Sequence, residues 1–436
     1  MASDNLKNSR TFQNEMFEWA TDLFPLNRSL TGEGVRETLI YLQSKIPKLK
    51  VKKVKSNTKV FDWTIPKEWQ ITDAYIEDST GSKLVDWKKN NLHVVGYSIP
   101  VHTILSFSEL EKHLFTLPNQ PNAIPYVTSY YEPNWGFCIA ENDKRLFRHP
   151  PFKVVINSKL FDGYMNYGEL IILGRSPKTV LLSANICHPS LANNEVSGPV
   201  VLTALCKWLQ NIGKTYYSYR IIFIPETIGS IYYISKHLKQ LQKNIVAGWV
   251  LTCVGDDGNF SYIPTRLGNT LTDKISQLIL KDLTNGYIEY SWLDRGSDER
   301  QFNSPGVDLP VASITRSKYG EYDEYHTSLD NLDFISGEGL WGSFELYKLC
   351  ILALEKNLIY SPSVLCEPKL DKYDLYSKVS IKGSGINSRK ILNILSYIDG
   401  KTDLVEVSTR TQIKFDEVVE IASILESHGV IFKENF

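Results

Sequence analysis

Residues Lys178-Thr179-Val180-Leu181-Leu182-Ser183-Ala184-Asn185-Ile186-Cys187-His188-Pro189-Ser190-Leu191-Ala192-Asn193-Asn194-Glu195-Val196-Ser197-Gly198 carry three signals in order. Val180 to Leu182 is an apolar run that reads as a buried strand, and a polar loop holding His188 follows it. Gly198 then opens the apolar stretch Pro199 to Leu209, which reads as a helix. Strand, loop and helix in that order begin a parallel α/β sheet, where ligands collect at the carboxyl ends of strands. His188 falls at such an end. A lone histidine there is more often structural, so a functional reading depends on what else reaches the same place.

Outward from this stretch, apolar runs at 169–173, 180–184, 220–224, 247–254 and 309–314 alternate with helical stretches at 199–211, 229–241, 271–283 and 336–355. That rhythm over residues 150–360 predicts a sheet covered by helices on both faces. Residues 11–47 read as two amphipathic helices, with Phe12, Met16, Phe17 and Ala20 on one face and Val35, Leu39, Leu42 and Ile46 on the other. Between them Ser29 or Thr31 suits a helix cap, and Arg28 is the residue able to reach an anionic group. The domain expectation is therefore residues 1–50 and 150–360 as one α/β unit, with 50–150 as an inserted β-rich domain.

Short β-like segments, broken by Pro, Gly, Asn and Asp, motivate that insertion, which also holds Trp63, Trp69, Trp87 and Trp135. Tyr126, Tyr130, Tyr131 and Trp135 read as a packed aromatic cluster in preference to a cleft wall. Residues 388–398, 402–409 and 414–427 read as three short helices before the closing strand Gly429-Val430-Ile431-Phe432. Residues 362–436 thus have the pattern of a winged helix-turn-helix. Its third helix carries Asp416, Glu417, Glu420 and Glu426. DNA binding rests on neutralising phosphates, so a protein–protein role, including a homo-oligomer through the winged helix, is expected instead.

The 436 residues are 42% apolar and 22% charged, with a formal net charge of −1, which gives no general attraction to nucleic acid or to an anionic membrane. No run approaches a transmembrane span, and the first residues lack the apolar core of a signal peptide. Cys138, Cys187, Cys206, Cys253, Cys350 and Cys366 show no paired spacing, which predicts buried free thiols in a cytoplasmic protein.

Four polar clusters fall at strand ends: His188 with Asn194 and Glu195; Pro225-Glu226-Thr227-Ile228-Gly229-Ser230; the charged loop Leu293 to Phe302; and Glu324-Tyr325-His326-Thr327-Ser328-Leu329-Asp330-Asn331. Two histidines and several carboxylates suit a cation such as zinc. Such an ion polarises a carbonyl and lowers the pKa of bound water to about 7, and a nearby carboxylate can move the proton.

The order His, Asn-Glu-Val-Ser-Gly, Glu, Gly-Ser-Asp and Tyr-His-Thr-Ser-Leu-Asp resembles the co-catalytic zinc aminopeptidases. More closely, the whole chain is similar to a bacterial family of aminopeptidase-like proteins described as polysaccharide-biosynthesis proteins. Asn27-Arg28-Ser29-Leu30-Thr31-Gly32, Phe61-Asp62-Trp63-Thr64-Ile65-Pro66-Lys67-Glu68-Trp69, Asn185-Ile186-Cys187-His188-Pro189-Ser190, Pro225 to Ser230 and Glu324 to Ser328 carry that likeness. It implies an aminopeptidase-like (phosphorylase/hydrolase-type) mixed sheet with helices on both faces, the insertion and the winged helix. His188 and His326 match the family's two metal histidines. Glu226 matches a position where two adjacent glutamates are usual. The bridging aspartate falls on Asn194, and a second aspartate falls near Thr252-Cys253, from which Asp256 reaches back only if the strand end bends.

A neutral bridge disfavours two close dications. The expectation is one zinc ion on His188 and His326, with Glu226 or Asn194 as third ligand. Two ions, no ion, and Glu195 as ligand after a register slip are the alternatives. The function expected is a metal-dependent hydrolase of aminopeptidase type, acting on an amide of a small peptide or amino-acid/sugar conjugate, with Glu226 as base or ligand. A metal-free binding or assembly protein is the alternative. Arg28, Arg266, Asp298, Arg300, Arg316 and Tyr319 are the candidate substrate contacts.

Overall fold

The computed structural model describes residues 2–373, 375 and 386–434. They fall into two units, residues 1–268 with 288–345 and residues 269–287 with 346–436.

The first unit is built on an eight-stranded mixed sheet in the order Lys50–Lys55, Tyr164–Ile172, Ser218–Ile224, Thr179–Asn185, Ile245–Leu251, Val311–Thr315, Ser261–Ile263, Ile288–Glu289. The four strands from Ser218–Ile224 to Val311–Thr315 run parallel, and Tyr164–Ile172 and Ser261–Ile263 flank them antiparallel. Every residue of Thr179–Asn185 and Ser218–Ile224 is buried, which is why both appear in the sequence as continuous and not alternating apolar runs. Chain connections leave Thr179–Asn185 through helix Ser197–Asn211 to one neighbour, and then through helix Ile228–Asn244 to the other. The sheet therefore reverses its winding direction at this strand, and a crevice opens beyond its carboxyl end.

Helix Ser197–Asn211 lies so close to the sheet that a Cβ on Gly198 would stand 2.2 Å from the Leu251 carbonyl oxygen. The turn before it, Ala192–Val196, is wound as a π-helix, a form that recurs at functional sites.

The boundaries of the β-rich region differ from those read in the sequence. Lys50–Lys55 is the edge strand of the central sheet, paired antiparallel with Tyr164–Ile172. Phe152–Phe161, read as part of the α/β unit, is instead an inner strand of a separate antiparallel sheet ordered Lys83–Asp86, Glu68–Glu77, Phe152–Phe161, Val101–Leu105. Its core holds Ala74, Ile76, Phe137, Phe152 and Val154.

The second unit holds helices Ile386–Leu395, Leu404–Thr411 and Phe415–Ser427, closed by the antiparallel strands Tyr360–Pro362 and Ile431–Lys433. This is a winged helix-turn-helix. Helix Leu271–Leu283, which the sequence rhythm assigns to the central sheet, belongs to this unit, where Lys274 pairs with Glu406 at 2.8 Å. All six cysteines are free thiols, and Cys366 alone is exposed. Among the described residues no helix is long and apolar enough to cross a membrane.

Candidate metal centre

His188 follows the switch-point strand and is 7% exposed. Its Nδ1 lies 3.1 Å from Asn194 Oδ1 and 3.0 Å from Glu195 Oε2, and its Nε2 lies 3.5 Å from Glu226 Oε2. The other Glu195 oxygen accepts the backbone N–H groups of Cys187 and His188. Burial opposes a charge on His188, but the Glu195 carboxylate and Cys187 outweigh it and hold the imidazole pKa well above its ordinary value.

Arg28 is buried beneath this loop. It donates through Nε to the His188 carbonyl at 2.9 Å and through Nη1 to the Leu23 carbonyl at 2.6 Å, so it fixes the loop from below.

Glu226 ends the neighbouring strand and is turned into the crevice by Thr227, a β-branched residue held at φ 64. Two interactions hold Thr227 there. Its N–H donates to Asp298 Oδ1 at 2.8 Å, and its Oγ1 accepts from Arg300 Nη2 at 2.6 Å. Burial raises the Glu226 pKa, and the Glu195 charge adds to the shift while His188 opposes it. Asp298 is fully buried and also accepts from Ser230 Oγ at 2.8 Å, while its Oδ2 has no hydrogen-bond partner. Burial, then the Glu226 charge, pushes the Asp298 carboxyl up to about 8.

His326 arrives from the fourth cluster at φ 56. Its ring stacks on Tyr325 at 3.9 Å and stands edge-on to His188 with centroids 5.4 Å apart. Tyr126 packs 5.0 Å from each imidazole and donates its backbone N–H to the His326 carbonyl at 2.8 Å. Burial, then the neighbouring His188, pushes the His326 pKa down to about 3. Its Nε2 is buried without a hydrogen-bond partner.

His188, Glu226, Thr227 and His326 line one cleft of about 300 Å³, together with Trp63, Tyr126, Tyr130, Tyr131 and Arg300. The three tyrosines are thus a cleft wall and not the packed cluster read in the sequence. Trp135 stands apart, stacked on His113 at 3.7 Å.

The remaining candidates lie elsewhere. Tyr319 is buried, donating to Glu299 Oε1 at 2.6 Å and accepting from the Gly296 N–H at 2.9 Å. Arg266 donates to the Asn303 carbonyl at 3.0 Å and pairs with Asp308. Arg316 sits 4.0 Å over the Phe260 ring and donates to the Gly258 carbonyl at 3.0 Å. Neither arginine lines the cleft. Asp256 accepts from Asn193 Nδ2 at 2.8 Å, the Ser317 N–H at 3.0 Å and Ser317 Oγ at 2.8 Å, which leaves it no role at the imidazoles.

Do these groups fit a zinc ion? Two ligands of a tetrahedral zinc stand about 3.3 Å apart, given bonds near 2 Å. The 3.5 Å between His188 Nε2 and Glu226 Oε2 matches such an edge, and His326 offers a buried nitrogen lone pair with no other use. Asn194 faces Nδ1 instead, with its Nδ2 3.8 Å from Cys253 Sγ, so its amide is turned toward a neutral thiol that Tyr322 Oη approaches at 3.7 Å. Among the described residues, the donor atoms that stand close enough together to share one ion belong to Cys187, His188 and Glu195, while Glu226 and His326 line the same cleft outside that group. Asn194 donates its backbone N–H to Asp330 Oδ2 at 3.0 Å, so a carboxylate lies beside it. Of the residues that the sequence assigns to the metal, His188, Glu226 and His326 line the cleft. Asn194 and Glu195, which the sequence offers as alternatives, both face His188 Nδ1, at 3.1 and 3.0 Å.

The chain matches the family described as domain of unknown function DUF4910 over residues 17–357 and a winged helix-turn-helix family over residues 358–433. A Clostridium acetobutylicum relative, named for polysaccharide biosynthesis with an aminopeptidase-like domain, is 41% identical over 96% of both chains. A crystal structure from the same organism, described as a candidate peptidase, has a TM-score of 0.91 at 40% identity and covers 99% of each chain. The zinc aminopeptidase BSAP of Bacillus subtilis has a TM-score of 0.57 at 12% identity, covering 78% of this chain and 95% of that one. A peptidase M28 precursor of Shewanella amazonensis has 0.55 at 13% identity, covering 81% and 97%. At those identities the last two share the fold. The chain belongs to the DUF4910 family, an aminopeptidase-like α/β fold followed by a winged helix-turn-helix.

Proposed function

We propose that this protein is a single-zinc hydrolase of aminopeptidase type, cleaving an amide in a small peptide or an amino-acid/sugar conjugate. The observation that carries this reading is the unpartnered, buried Nε2 of His326 in the same cleft wall as His188 Nε2 and Glu226. The fold shared with zinc aminopeptidases supports it, and the relative named for polysaccharide biosynthesis makes a sugar conjugate a substrate to test first.

His188 and His326 would hold the ion through nitrogen, with one Glu226 oxygen as the third ligand. Zinc, when bound, polarises a substrate carbonyl and acidifies water. The second Glu226 oxygen takes a proton from the attacking water and returns it to the leaving amine. Arg300 places a positive charge in the cleft lining for an anionic group of the substrate, and the tyrosine wall narrows access of bulk water.

The test is zinc per chain by elemental analysis, beside hydrolysis of a panel of amino-acid anilides and N-aminoacyl sugars. One zinc per chain is expected, lost in His188→Ala and His326→Ala together with hydrolysis. A wild type that retains no zinc after equilibration with it overturns the proposal. That result would favour a metal-free binding protein, for which the His188–Glu195 ion pair and the neutral Asn194–Cys253 contact already provide a self-contained arrangement.

A further inference from the structure

The segment Phe61–Trp69 lies outside the central sheet and contributes Trp63 to the lining of the metal cleft. Lys59–Val60 and Trp63–Thr64 pair as a short hairpin whose two-residue turn places Phe61 at φ 50. The hairpin sets Trp63 edge-on against Tyr131, with ring centroids 5.8 Å apart. Tyr130 and Tyr131 line the metal cleft on one side and a second cavity of about 230 Å³ on the other, so the two spaces adjoin across this aromatic pair.

We infer that the second cavity is a subsite for a sugar ring carried by the amide substrate, an inference that rests on the hydrolase reading. Tyr131, which lines this cavity, leaves 52% of its surface open, and Trp63, packed against it from the metal-cleft side, leaves 39%. Exposed aromatic faces grouped with polar side chains at a cavity mark a binding site. Lys67 and Glu132 line this cavity. Neither forms a side-chain ion pair among the described residues. A sugar ring uses both features at once: its C–H face lies on an aromatic ring, and its hydroxyls bond to an ammonium and a carboxylate. An apolar peptide side chain would leave both charges unused and partly desolvated, which costs free energy.

The wall is also pre-organised. Trp69 stacks on Tyr97 at 5.7 Å, and Tyr97 packs edge-on to Tyr130 at 5.3 Å. Thr31 Oγ1 ties this ladder to the N-terminal segment by accepting the Trp69 N–H at 3.1 Å and bonding Tyr97 Oη at 2.5 Å. A rigid wall loses little entropy on binding.

The experiment measures binding of N-acetylglucosamine and, separately, of phenylalanine amide to the full chain by calorimetry, alongside circular dichroism of each variant. N-acetylglucosamine is expected to bind the wild type and His188→Ala alike. Trp63→Ala and Tyr131→Ala should each weaken it by about tenfold, with Trp63→Phe recovering part of the loss. No binding to a folded wild type, unchanged affinity in Trp63→Ala, loss in His188→Ala, or tighter binding of phenylalanine amide each overturns the sugar subsite. Failure of the zinc reading shows in metal content instead, and leaves this binding assay intact.

Discussion

The carboxylate of Glu195 grips His188 twice, with one oxygen 3.0 Å from the ring Nδ1 and the other accepting the residue's own backbone N–H at 2.8 Å. Backbone and ring are thereby fixed by one buried side chain, and Nε2 is the nitrogen left for the cleft. A carboxylate behind a ligating histidine sets its tautomer and raises its basicity, and losing one costs about 10- to 100-fold in metal affinity. Glu195→Gln keeps the acceptor oxygen for the backbone but loses the charge. Its zinc affinity, measured by competition with a chelator, should fall by that factor while the chain stays folded. Equal affinity in the two proteins would mean that Glu195 only shapes the loop.

Asp298 makes a pH prediction. Its carboxyl titrates near 8 in the folded chain, against about 4 in an unfolded one, because burial and the Glu226 charge favour the neutral form. A group whose pKa is raised by folding contributes stability in full below the unfolded value and loses it as pH rises through the folded one. The melting temperature should therefore fall between pH 6 and pH 9. Asp298→Asn keeps an oxygen for the Thr227 N–H and Ser230 Oγ and has no proton to lose, so its curve should be flatter over that range. Parallel curves for wild type and variant would remove Asp298 as the cause.

The central sheet is legible in the sequence because its strands are buried on both faces. Val180 to Leu182 needs only an apolar run to be recognised, and His188 then sits at a strand end by counting. Glu226 is found the same way. Two features hide the rest. The π-wound turn Ala192–Val196 adds a residue to the loop, so spacing alone does not tell whether Asn194 or Glu195 faces the imidazole, and both do. Lys50–Lys55 and Phe152–Phe161 lie at the borders of a region of short strands, where local pattern does not say which sheet a strand joins. Arg28 shows a third limit. Its residue type suggests an anion contact, yet its buried guanidinium serves two carbonyl oxygens.

Gly198 tests the close packing of helix on strand. A Cβ there meets a backbone carbonyl at 2.2 Å, and a strand in the middle of a sheet cannot retreat. Gly198→Ala should destabilise the fold by about 1–3 kcal/mol or more, the usual cost of overpacking. Thermal or urea unfolding within 0.5 kcal/mol of wild type, about the scatter of neutral substitutions, would show that the helix can shift freely.

The winged helix is expected to leave DNA alone. Helix Phe415–Ser427 carries Asp416, Glu417, Glu420 and Glu426, and three of its neighbouring lysines, Lys356, Lys390 and Lys433, are engaged with Asp416, Glu417 and Glu426. Binding of the full chain to random duplex, measured from low to moderate salt, should be weak throughout. Tight binding at low salt with a steep salt dependence would show that phosphates displace those pairs.

The last prediction concerns Asn194. Its side chain presents an amide between His188 Nδ1 and the Cys253 thiol, and burial pushes that thiol up to about 12, so neither the amide nor the thiol supplies a charge at this point at physiological pH. Two dications a few ångströms apart repel, and a carboxylate between them offsets part of that repulsion, which an amide oxygen cannot do. Asn194→Asp supplies the missing charge, and with Cys253→Asp it adds a second carboxylate on the same side. Elemental analysis at equal zinc should show one ion per wild-type chain, a fractional gain in Asn194→Asp, and close to two in the double variant. Two ions in the wild type, or one in all three proteins, would mean that the charge at position 194 does not set the number of metals. The second site would then be limited by the space that Tyr322 and Cys253 occupy, and Cys253→Gly would be the substitution that opens it.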